Sequence, residues 1–162
     1  MTEPEPELHS ADVPQEDNLG DVRRSVQAIA DGHHDTASIA QRTQRSARHA
    51  GYAINAAIAL EWIGEPDESK PEEEGLVIHE LGKKLLATKA GSADERKIWR
   101  ESIEKSYAVA AIAPQLLGAA EPEVKTIAAS IVKLAALAQS TAERRARTLI
   151  AWRRQALEPG AA

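Results

Sequence analysis

Between Asp35 and Ile63 the chain reads DTASIAQRTQRSARHAGYAINAAIALEWI, two apolar-periodic stretches separated by a few polar residues. Asp35 or Thr36 is suited to cap a short helix containing Ile39 and Ala40. Thr43, Gln44 and Arg45 leave room only for a brief turn. Ser46 then suits the N-cap of a longer helix reaching about Leu60. On that helix Ala50, Ile54, Ala57 and Ile58 share one face, and Arg48, Tyr52 and Asn55 lie opposite, with Arg45 and His49 beside them at the N-terminal end. Two helices joined by a tight turn, the second with a polar N-terminal half, match the layout of a helix-turn-helix that enters the major groove.

The flanking residues extend this unit. Leu19, Val22, Val26, Ile29 and Ala30 recur at helical spacing before Gly32 stops the helix. Downstream, Trp62-Ile63 and Leu76-Val77-Ile78 are short strand candidates on either side of GEPDESKPEEEG, and a hairpin placed there is a wing. Leu81, Leu85 and Leu86 then mark a helix ended by Gly91. Residues 19–91 are expected to form a winged helix-turn-helix domain.

The remainder, 92–158, is expected to be helical. Ile98, Trp99 and Ile103 share one side of a helix from Asp94 to about Ser106. Pro114 interrupts the next helix, and Pro122 opens another with Val124, Ile127, Ala128, Ile131 and Leu134 in a stripe. Ser140 or Thr141 is expected to cap the last helix, which buries Ala142, Ala146, Leu149, Ile150 and Leu157. Residues 140–157 hold five Arg against one Glu, the densest basic run in the chain. This reads as a second helix-turn-helix.

Composition supports a mainly α protein, because the 43% hydrophobic content includes no Phe and is dominated by alanine, a strong helix former of small volume. The absence of Cys excludes disulfides and thiolate metal sites. Nothing resembles a secretory signal or the roughly 20 apolar residues of a membrane span, so a cytoplasmic chain with no membrane partner is expected. The net charge of −5 is unevenly spread: residues 1–17 carry six acids and no base, and residues 61–75 carry seven acids and one Lys. Residues 18–60 and 76–162 are each net basic. Fields act locally at ordinary salt, so the basic segments remain candidates for an anionic partner. Residues 1–18, rich in Pro and Glu, are expected to be a disordered acidic tail.

The runs SARHAGYAINAAIALEWI and LVIHELGKKLL, with the later STAERRARTLIAW, resemble in order and spacing a winged-helix module attached to some bacterial restriction endonucleases. Gly51-Tyr52-Ala53 and His79-Glu80 depart from that family's usual pattern. The resemblance implies DNA recognition, in restriction or defence, and brings no nuclease with it.

Other readings weigh less. Pro66-Asp67 with Glu68-Ser69-Lys70 has the letters of a metal-dependent nuclease, but contiguous loop residues cannot converge on a metal as carboxylates from neighbouring strands do. Glu123-Val124-Lys125 merely opens a helix. His33, His34 and Asp35 lack a further ligand at useful spacing. Trp62, Trp99 and Trp152 sit among apolar residues and are expected in the core rather than as base-stacking platforms. No catalytic constellation or cofactor site stands out.

The expectation is therefore a non-enzymatic binder of double-stranded DNA, a transcriptional regulator or the recognition subunit of a defence system. Arg45, Ser46, Arg48, His49, Tyr52 and Asn55 would form one DNA-facing set, with Arg48, Tyr52 and Asn55 reading base edges. Ser140, Thr141, Arg144, Arg145 and Arg147 would form the other, the arginines holding phosphates. Homodimerisation and an effector protein of a defence system are further possible partnerships. The alternative is a winged-helix adaptor or dimerisation scaffold that binds protein only.

Overall fold

The computed structural model describes residues 8–66, 69 and 75–157. Among them are eight α-helices and one two-stranded hairpin, so the chain is mainly helical as expected. No described helix is long and apolar enough to cross a membrane.

The first three helices pack on one another. Helix α1 (Leu19–Ala30) starts at Asn18, whose side chain accepts the amide of Asp21 at 3.1 Å, and buries Leu19, Val22, Val26 and Ile29. Ala28 is buried in place of Ala30, which faces solvent. Helix α2 (Thr36–Thr43) is capped by Asp35, and its end is turned by Gln44 in the left-handed conformation (φ 58°). Helix α3 (Ala47–Ala59) is capped by Ser46, whose Oγ accepts the His49 amide at 3.1 Å. Only Gln44, Arg45 and Ser46 separate α2 from α3. Ala50, Ala53, Ile54, Ala56 and Ala57 form the buried face of α3, and their small volume lets α1 approach closely.

Strands β1 (Ile63–Gly64) and β2 (Val77–Ile78) pair antiparallel, Ile63 opposite Ile78 and Gly64 opposite Val77. They confirm the expected hairpin. The nuclease-like letters at Asp67, Glu68 and Lys70 lie outside the described residues.

Helix α4 (Glu80–Leu86) leads through a turn to α5 (Ala93–Lys105), capped by Ser92, and α6 (Tyr107–Ile112), capped by Ser106. Helix α6 stops at Ala113, ahead of Pro114 as expected. Helix α7 (Val124–Ala135) ends on Ala136 in the left-handed conformation (φ 54°), and α8 (Gln139–Leu157) follows two residues later. The α7–α8 turn thus repeats the device of the α2–α3 turn. Because α8 begins at Gln139, Ser140 and Thr141 lie within its first turn and do not occupy the expected cap position.

The boundary expected near residue 91 does not divide the core. A single cluster of buried side chains runs from Leu19, Val22 and Trp62 through Trp99 and Ile103 to Ile131, Leu149 and Trp152. The three tryptophans belong to it, as their apolar surroundings suggested.

Residues 8–18 depart most from expectation. They are packed against the protein. Leu8 and Val13 are buried, a short 3₁₀ helix spans Ser10–Asp12, and the Leu8 amide donates to Leu134 O at 3.0 Å. Two apolar side chains and a run of backbone hydrogen bonds replace solvation of this acidic segment, which we call the strap.

Candidate nucleic-acid interface

The open face of α3 is continuous with the turn that precedes it. Gln44, Ser46, Ala47, Arg48 and His49 are exposed, and Gly51, Tyr52 and Asn55 are half-buried. A local cluster orders this face. The Arg48 Nε donates to Tyr52 Oη at 2.6 Å, and its guanidinium stands 5.6 Å from the Tyr52 ring centroid. His49 meets the same ring edge-on at 5.9 Å, and its Nδ1 lies 2.9 Å from Ser46 Oγ. Arg48, His49 and Tyr52 are thus held by one another, on a single helix.

The C-terminal half of this face is less open. Asn55, Ile58 and Ala59 line a hollow shared with Ala11 and Asp12 of the strap and with Tyr107 and Ala108 of α6. Ile58, expected inside, is 38% exposed there. Asn55 accordingly sits at the edge of the strap instead of on an open surface.

Arg45 differs from its expected role. Its guanidinium forms an ion pair with Glu16 of the strap and lies 3.8 Å from Asp21 at the start of α1. Two carboxylates of the same chain neutralise it.

Helix α8 presents two distinct faces. Arg144 and Arg147 are exposed on the outer one; Arg144 donates to Gln15 Oε1 at 3.3 Å, and Arg147 lines a hollow with Glu121 and Glu123. Arg154, further along this face, is paired with Glu121 at 2.7 Å. That pair, then the Arg154 and Arg153 charges, holds the Glu121 carboxyl below its ordinary range.

The other face meets the strap. Arg145 is only 6% exposed, and its Nη1 donates to the carbonyls of Ser10, at 2.6 Å, and Val13. Thr148 donates to the Asp17 carboxylate at 2.5 Å, Trp152 Nε1 to Glu16 O at 2.7 Å, and Gln155 Nε2 to Asp17 O at 2.6 Å. Arg145 is therefore a buried partner of backbone carbonyls, which corrects its expected place among exposed phosphate contacts. Burial, and next the neighbouring Arg144 charge, pull its pKa below the ordinary arginine range, while Tyr52 of α3 acts in the opposite sense.

The two expected sets of residues are thus brought together at the strap. Arg45, just ahead of α3, and Arg144, on α8, hold Glu16 and Gln15, which are consecutive. Sequence reading missed the strap residues themselves. The signal was present on α8, where Arg145, Thr148, Trp152 and Gln155 form a stripe of hydrogen-bonding groups beside the buried Ala146 and Leu149.

The hairpin has the wrong charge for phosphate contact. Residues 61–75 carry seven acids against one Lys, so a wing built there repels a nucleic-acid backbone.

No family model, curated protein or solved structure matches the chain.

Proposed function

We propose that the chain binds double-stranded DNA through the N-terminal half of α3, as a winged helix-turn-helix protein whose wing stands away from the phosphates. The observation carrying this reading is the self-ordered cluster of exposed Ser46, Arg48 and His49 with half-buried Tyr52, at the start of a helix reached by a three-residue turn. Those positions are where a recognition helix meets base edges, and an ordered arginine loses less freedom on binding. Arg48 is the base-reading residue. Arg144 and Arg147 are phosphate contacts on the flank, and the α7–α8 pair serves as a second helix-turn-helix. The role is that of a regulator or of the recognition part of a restriction or defence system, in line with the motifs resembling such modules.

A second reading is supported by the acidic hairpin and by the internal pairing of Arg45. In it the same surfaces bind a protein effector or a second copy of the chain. Duplex titration across salt separates the two. DNA binding weakens steeply from about 50 to 200 mM salt, with a slope near −0.9 per phosphate contacted. Arg48→Ala is expected to cost about 1–3 kcal/mol on a preferred sequence, and Arg144→Ala to lower the salt slope by about one on any sequence. Absence of duplex affinity at low salt removes the DNA reading and leaves the adaptor.

A further inference from the structure

The strap offers the two basic helices a series of oxygen acceptors. Ser10 O and Val13 O face Arg145, Gln15 Oε1 faces Arg144, the Glu16 carboxylate faces Arg45, and the Asp17 carboxylate faces Thr148. From Pro14 to Asn18 the strap has no helix or strand of its own. An extended run presenting oxygens to guanidinium and hydroxyl donors offers the same chemistry as a nucleic-acid backbone offers through phosphate.

As a counterpart for Arg145, however, the strap is incomplete. The guanidinium is buried with two neutral carbonyls, no carboxylate pairs with it among the described residues, and its Nε has no hydrogen-bond partner. Buried cations are ordinarily paired with an anion and fully hydrogen-bonded, because desolvating an unpaired charge is costly. An anion placed between α3 and α8 would meet that need.

We propose that residues 10–17 occupy the path of a DNA backbone, and that duplex DNA displaces them and takes Arg45, Arg144 and Arg145 as its own phosphate contacts. This rests on the DNA-binding reading above and extends its surface from α3 across to α8. The strap is then an internal competitor. The apparent affinity for DNA is lowered by the fraction of molecules in which it is seated.

Two measurements test this on the full chain. The first is amide exchange on the unmodified protein, with and without a saturating random-sequence duplex. The Leu8 and Val13 amides, bonded to Leu134 O and Ser10 O, are expected to exchange faster when DNA is bound. The second is duplex affinity of Glu16→Gln, which weakens the hold on Arg45. It is expected to bind about tenfold tighter, because less of the unbound protein has the strap seated. DNA binding with the Leu8 and Val13 amides still protected overturns the proposal while leaving the DNA reading intact. The same holds if a folded Glu16→Gln protein binds no more tightly. Should Glu16→Gln not fold, the exchange result on the unmodified protein decides. If the unmodified protein has no duplex affinity at low salt, the DNA reading fails and this proposal fails with it.

Discussion

The indole N–H of Trp62 donates to Ser102 Oγ at 2.8 Å, and the same hydroxyl donates onward to Ile98 O at 2.7 Å. Trp62 stands at the foot of β1 and Ser102 in the last turn of α5, both fully buried. This bond joins the hairpin to the C-terminal helices, which is one reason why the two expected domains share a core.

Ser102→Ala would leave the Trp62 indole N–H buried without a partner. The expected cost is about 1–3 kcal/mol. For a chain of this size each kcal/mol lowers the melting midpoint by roughly 2–4 °C. Calorimetry checks it, and an unchanged midpoint would show that the bond contributes nothing.

The three tryptophans are expected to differ. Trp62 and Trp152 both donate within the protein, whereas Trp99 Nε1 is buried with no hydrogen-bond partner. Phenylalanine in place of Trp99 removes an unmet donor, while at the other two positions it orphans an acceptor. Trp62→Phe and Trp152→Phe are therefore expected to destabilise by about 1 kcal/mol more than Trp99→Phe. Chemical denaturation of the three variants gives the ranking directly.

Gly82 lies where α4 passes under the carbonyl of Trp62. A Cβ there would stand 2.2 Å from that oxygen and 2.9 Å from the Ile78 side chain. The carbonyl already accepts the His79 amide at 2.9 Å and has no freedom to retreat. Gly82→Ala is expected to cost about 3 kcal/mol through overpacking, read as a loss of the denaturation midpoint.

Gly51 is the opposite case. It lies within α3, and a Cβ added to it meets nothing within 4 Å. Gly51→Ala is expected to stabilise the fold by about 0.5–1 kcal/mol, since glycine is a poor residue inside a helix. If α3 lies in the major groove, the same methyl group stands between helix and DNA, and duplex affinity falls. A variant that melts higher and binds DNA as well as the parent would remove Gly51 from the interface.

Much of this architecture is legible in the residues. Asp35 and Ser46 mark the starts of α2 and α3, the hydrophobic pairs around 63 and 77 mark the hairpin, and Pro114 marks the end of α6. Local signals of this kind act over a few residues, so they survive in the sequence. Ser140 and Thr141 misled because a cap is one way among several to begin a helix, and α8 already starts at Gln139, ahead of both. The strap was illegible for a different reason. Its acids and Pro14 suggest solvation, and most of the groups that bind it are more than a hundred residues away. Periodicity placed Ala50, Ile54 and Ala57 of α3 inside and misplaced Ile58, and it does not reveal that Glu16 neutralises Arg45 or that Arg145 points inward.

The partners of the strap impose an order on assembly. Ser10 reaches Arg145 across 135 residues and Glu16 reaches Trp152 across 136. Contacts this distant form late, because a long loop must close before they are rewarded. During synthesis the contacts of residues 8–18 with α8 therefore wait until that helix emerges, whereas the Glu16 pair with Arg45 spans only 29 residues. Until α8 emerges, Ser10 O, Val13 O and the Asp17 carboxylate lack their α8 donors, and a truncation that removes α8 leaves residues 8–18 with only such contacts as the Arg45–Glu16 pair and the Leu8 bond to Leu134 O.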